Sequence, residues 1–140
     1  MALPTKLSLE IVTPDRLLVR EEVDEVVVPG SEGYLGILPG HAPLLATLKV
    51  GELWYRAGPE KHFLAIAFGF VEVLPERVTI LAQIAERAQE IDVARAEAAR
   101  KRAEERLSRP LPEMDFERAR IAMMKSLIRL QVASRARTRV

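Results

Sequence analysis

At 140 residues, 49% of them hydrophobic, the chain can hold one compact core with an appendage or two small domains, and it is too apolar for disorder to be the default. It has no cysteine, which excludes a disulfide framework, a thiolate metal site and a cysteine nucleophile. The net charge of +1 hides a split: residues 1–90 hold 8 Lys/Arg against 13 Asp/Glu, and residues 91–140 hold 13 against 7, so an acidic half precedes a basic one.

The first half reads as strands. LSLEIV (7–12) alternates and ends in the turn signal Thr13-Pro14-Asp15. EVDEVVVPG (22–30) runs into a turn at Pro29-Gly30, and GYLGILPGHAP (33–43) is turn-rich with a short strand inside. Gly51 opens ELWYRAG, and KHFLAIAF, GFVEVLP and RVTILAQ follow, with breaks at Gly69 and at Pro75-Glu76. Short strands at regular spacing with turn signals between them predict an antiparallel β-sandwich, whose two sheets bury apolar faces that one sheet would leave wet.

From Ala82 the pattern changes. Glycine is absent after Gly69, and residues 92–107 are mostly alanine, arginine and glutamate, all strong helix formers. Asp92 is placed to cap that helix, and Ser108-Arg109-Pro110-Leu111-Pro112 to stop it. A second helix starts at Asp115, with Phe116, Ala119, Met123, Leu127 and Leu130 along one stripe and Ala96, Ala99 and Ala103 facing them from the first. The two helices predict an antiparallel hairpin. The fold class is therefore α+β, with a sandwich domain over 1–88 and a helical hairpin over 89–140.

Signals of chemistry are sparse. His41 and His62 belong to no ligand spacing, there is no nucleophile elbow or phosphate loop, and GYLGILPG lacks the strand–glycine loop–helix context of a dinucleotide site. No catalytic residue and no metal site is expected. Phe116 is the one aromatic of the basic half and glutamates interrupt its arginines, so a nucleic-acid surface is not expected either. The N-terminus lacks signal-peptide character and no stretch approaches the roughly 20 apolar residues of a membrane helix. The stretch QEIDVARAEAARKRAEERL (89–107) supports two readings: a capped, solvated helix, or a helix whose arginines await an anion.

Four stretches, EIVTPDRLL, GSEGYLGILPGHAPLLATL (30–48), FVEVLPERVTILAQIAERA (70–88) and IDVARAEAARKRAEERL (91–107), resemble the epsilon subunits of bacterial F-type ATP synthases in order and spacing along the whole chain. That resemblance implies a non-catalytic subunit of the rotary central stalk. It would be peripheral at the cytoplasmic face of the bacterial plasma membrane, without direct membrane insertion, and would need no cofactor. Its partners would be the gamma (shaft) subunit, the ring of membrane c subunits and, with the hairpin extended, the alpha and beta subunits of the catalytic head. The implied regulatory ligand is ATP, bound by Glu86, Ile91, Asp92, Arg95 and Ala96 with Arg102 nearby, and by Lys125 and Arg129 of the second helix. Lys125 stands where some members have arginine, offering a point charge in place of a planar fork. Glu32, Tyr34 and His41 would contact the ring. The alternative is a free-standing ATP-sensing or adapter domain that docks an acidic partner.

Overall fold

The computed structural model describes residues 3–109 and 115–137. The chain divides into two compact units, Met1–Glu86 and Arg87–Val140.

The first unit holds eight strands: β1 (Leu7–Val12), β2 (Leu17–Val23), β3 (Glu25–Gly30), β4 (Gly33–Ile37), β5 (Leu44–Leu48), β6 (Gly51–Ala57), β7 (Glu60–Leu74) and β8 (Arg77–Arg87). Their order is β2-β1-β8-β7-β5-β3-β4, with β6 paired to both β3 and β7. Pairing is antiparallel except between β1 and β8, which run parallel with Leu9 beside Val78 and Ile11 beside Ile80. Alternation along the strands sends Leu7, Leu9 and Ile11 inward to meet Val26, Val28, Leu53, Tyr55, Val71, Val73, Val78 and Ile80, all fully buried. Each such side chain contributes about 1.5–3 kcal/mol relative to exposure.

The long β7 belongs to two ladders. Its first part pairs with β6, Gly51 opposite Ile66, and its last part with β5, Leu48 opposite Gly69. The change of partner occurs where Phe68 and Gly69 adopt φ of 63° and 129°. Gly69 also abuts β8, and a Cβ there would lie 2.0 Å from the Leu81 carbonyl oxygen. The glycine read from sequence as a break between strands is therefore a bend inside one strand.

Two strands escaped the sequence reading. In β2 both Leu18 and Val19 are buried, because a bulge in the β1–β2 register disrupts alternation. In β5, Leu44 and Leu45 are successive leucines exposed to 37% and 70%, so no period-2 signal marks the strand. The expected 22–30 strand is in fact the end of β2 and the whole of β3, parted at Asp24. Asp24 staples that junction: it accepts from Lys6 Nζ (2.5 Å) and from the Gly58 backbone N–H (2.7 Å).

The second unit opens with a 3₁₀ turn (Ala88–Glu90) and continues into α1 (Val93–Ser108) and α2 (Phe116–Arg137). Asp92 caps α1, its carboxylate accepting from the Arg95 backbone N–H at 3.0 Å, and Asp115 caps α2 through the Arg118 N–H at 3.1 Å. The expected helix stop at Pro110–Pro112 lies outside the described residues. The helices form a hairpin in which Ala96, Ala103 and Ala119 of the expected stripes are buried, but the rest of the α2 stripe differs. Ala119, Ser126 and Ala133 of α2 are buried at seven-residue spacing, as are Ala96 and Ala103 of α1, whereas Phe116 and Leu127 are 52% and 49% exposed. Small side chains let helix axes approach closely, and of the larger stripe Phe116 and Leu127 turn to solvent while Met123 and Leu130 stay half-buried. Ser126 satisfies its buried hydroxyl by donating to the Ala122 carbonyl at 2.8 Å.

Candidate functional site

Three surfaces carry the residues singled out from sequence. The first is the end of the sandwich built by the β3–β4 hairpin. Gly30 pairs with Gly33, leaving Ser31 and Glu32 as a two-residue tip, with Gly33 at φ 133°. The tip is tied sideways to β5, where the Ser31 N–H donates to the Thr47 carbonyl at 2.9 Å and the two side-chain hydroxyls lie 2.6 Å apart. Glu32 is exposed. Tyr34 is 53% exposed, yet its hydroxyl accepts from the Glu52 backbone N–H at 3.1 Å and Lys49 Nζ lies 5.6 Å from its ring centroid. His41 is half-buried in the next turn, with Nδ1 2.7 Å from the Ala42 carbonyl oxygen. Between tip and β5 runs an open groove of about 480 Å³, apolar along Leu35, Leu44 and Leu45.

The second surface is the outward face of the β1–β8–β7 side. Leu17 pairs with Val12, Val12 with Leu81, and Leu81 lies against Gly69, the neighbour of Phe70 in β7. Leu17, Leu81 and Phe70 are 46%, 53% and 52% exposed, an apolar row crossing four strands where a solvated sheet face would carry polar residues. Sequence reasoning missed this row. Its signal was present, since Phe70 and Leu81 occupy the phase of their strands that also carries Glu72 and Gln83.

The third surface is the helical unit. Ile91 and Ala96 are buried, while Asp92, Arg95 and Arg102 are exposed. Asp92 meets Arg95 through the backbone amide of the cap and not through a side-chain ion pair, so one carboxylate oxygen serves the helix. Arg100 is committed elsewhere: Glu97 at 3.2 Å and Glu104 at 2.7 Å hold its pKa above the usual value, the Glu97 hydrogen bond first. Glu97 therefore pairs with Arg100, three residues on. Arg95 and Arg102, seven residues apart and so on one helix face, make no side-chain ion pair among the described residues. On α2, Lys125 and Arg129 are half-buried one turn apart, and Glu86 is half-buried at the end of β8. The structure therefore gathers Ile91, Asp92, Arg95 and Ala96 into the first turn of α1 and puts Arg102 two turns further along. Among the described residues no cluster of three acidic or histidine side chains could hold a metal ion, and no helix is long and apolar enough to cross a membrane.

The fold is thus an acidic β-sandwich followed by a basic helical hairpin, with Glu32, Tyr34, Asp92, Arg95 and Arg102 at its surface. Residues 6–88 match the model of the ATP synthase delta/epsilon chain β-sandwich domain, and residues 89–134 that of the long α-helix domain of the same chain. The chain belongs to the ATP synthase delta/epsilon family, as an epsilon-type subunit. It is 52% identical over 130 residues to the ATP synthase epsilon chain of Syntrophobacter fumaroxidans, covering 93% of this chain and 97% of that one. The epsilon chain of Koribacter versatilis is 57% identical over 106 residues, 76% of this chain and 75% of that one. The fold is also that of a chain in the Euglena gracilis mitochondrial ATP synthase, with TM-score 0.72 and 23% identity over 98% of this chain and 82% of the other.

Proposed function

We propose that the chain works in the central stalk of a proton-translocating ATP synthase, peripheral at the cytoplasmic face of a bacterial plasma membrane, and that it both couples and regulates. The sandwich clamps the gamma subunit and rests on the ring of c subunits, so that ring rotation reaches the catalytic head. The observation that carries this reading is the outward apolar row of Leu17, Val12, Leu81 and Phe70, which suits a partner's apolar surface better than water. The tip with Glu32 and Tyr34, and the turn with His41, then face the ring.

The helical unit supplies regulation. Arg95 and Arg102 are, with Arg106, guanidinium groups of α1 that make no ion pair among the described residues, and they suit phosphate oxygens, while Lys125 and Arg129 add charge from α2. Asp92 retains one carboxylate oxygen for an adenine amino group. ATP held by both helices favours the closed hairpin through its differential affinity for that state, and the extended hairpin restrains hydrolysis by contact with the alpha and beta subunits.

Calorimetric titration of ATP into the chain, beside Asp92→Ala and Arg95→Ala, tests the sensing role. Saturable heat lost in both variants supports it. An absence of heat at millimolar ATP refutes sensing and leaves the docking role, which copurification with the gamma subunit tests separately.

A further inference from the structure

Tyr34 stands on the surface assigned above to the ring of c subunits, and the residue is about half exposed. Its polar atom, however, turns back into the sandwich. The hydroxyl oxygen takes the Glu52 backbone N–H at 3.1 Å, across 18 residues of sequence, at the entry to β6. Pro29 lies directly opposite Tyr34 in the β3–β4 ladder and has no N–H to give. The Pro29 carbonyl instead accepts from the Lys49 N–H at 2.9 Å, and the Lys49 ammonium lies over the Tyr34 ring.

Gly51 completes the arrangement. A Cβ there would come 2.5 Å from Pro29 Cβ and 2.9 Å from the Tyr34 hydroxyl, so the missing side chain is the space that the Pro29–Tyr34 pair occupies. Three contacts with separate origins thus converge on one tyrosine: a backbone hydrogen bond, a cation over the ring and a gap left by glycine. They anchor the two-residue tip, which is also tied to β5 through Ser31 and Thr47 and through the Gly30–Leu48 pair.

We infer that Tyr34 is a positioning residue, a strut that fixes the Ser31-Glu32 tip over the start of β6 and so presents Glu32 to its partner. The inference rests on the proposed ring contact. Recognition then falls to Glu32, and the Tyr34 hydroxyl acts without touching the partner. Phenylalanine at this position keeps the ring and the Lys49 contact and removes one hydrogen bond, so the fold survives.

The experiment uses the full chain with Tyr34→Phe and Glu32→Ala, measuring backbone amide exchange and affinity for purified ring–shaft complex. Losing one such hydrogen bond changes a local equilibrium by about two- to tenfold. The expected result for Tyr34→Phe is faster exchange, by about that factor, at the Glu52, Glu32 and Gly33 amides, with affinity weakened by a similar factor. Glu32→Ala weakens binding without altering exchange at Glu52. Weaker binding of Tyr34→Phe with unchanged exchange would overturn the strut and make the hydroxyl a direct contact. Unchanged exchange and unchanged binding would overturn it too. Faster exchange in Tyr34→Phe, with neither variant weakened in binding, would uphold the strut and refute the ring contact.

Discussion

Gly69 is required twice over, by its φ of 129° and by the Leu81 carbonyl 2.0 Å from where a Cβ would sit. Gly69→Ala should therefore destabilise the sandwich by at least about 2 kcal/mol, read as a lower denaturant midpoint at unchanged slope. Asp24 makes a different kind of prediction. Its hydrogen bond from Lys6, then that from the Gly58 amide, lower its pKa from the usual 3.8. The folded state thus binds that proton less readily than the unfolded chain. The stabilisation is complete above the ordinary carboxylate range and disappears as pH falls through the lowered folded value. Asp24→Asn should be less stable than the parent at neutral pH, and the difference should close toward acid, as acid-titrated thermal melts would display. Neither requirement was visible in sequence, where Gly69 looks like any strand break and Asp24 like one of many surface acids. Both depend on what another strand brings alongside.

Among the elements, α1 shows what sequence carries well. An N-cap is a local contract between Asp92 and the Arg95 amide, so it was legible three residues at a time. The hairpin seam was not. α2 has two stripes that could face a neighbour, and composition favours the bulkier one through Met123 and Leu127. The alanines of α1 leave room for close approach, and Ala119 of that stripe is buried together with Ser126 and Ala133 while Leu127 is not. In the same way β1 could be read to the residue, while the bulged β2 could not. The cap also separates two roles for Asp92. Asn at this position still caps, so Asp92→Asn should keep α1 stability within about 0.5 kcal/mol, whereas Asp92→Ala costs about 1 kcal/mol. If the carboxylate also serves ATP, both variants lose the calorimetric signal, and circular dichroism melts separate that loss from unfolding.

For the whole molecule, the family was legible from motif order, and it fixes the fold that the strands and helices build. Surfaces were less legible, because an outward apolar row is assembled from two pairs of strands at opposite ends of the first unit's sequence. Phe70→Glu lies on that row and outside the core, so stability should change by less than about 0.5 kcal/mol. Its yield of copurified gamma subunit should fall at least about tenfold if the row is the docking face, a loss typical of a buried aromatic anchor. An unchanged yield would move the interface elsewhere.

The pairing of β7 with both β5 and β6, and of β3 with both of those strands, closes the ladder on itself. An open sheet pulled at one hairpin peels one rung at a time, each break exposing the next. Here a load applied at Ser31-Glu32 passes from β3 into two branches that rejoin on β7, so rungs on both sides share the strain and neither branch yields alone. The bend at Phe68-Gly69 is the junction of those branches, a rivet in a stiff bracket. Such a closed frame can be pushed from one end and deliver nearly the same displacement at the other.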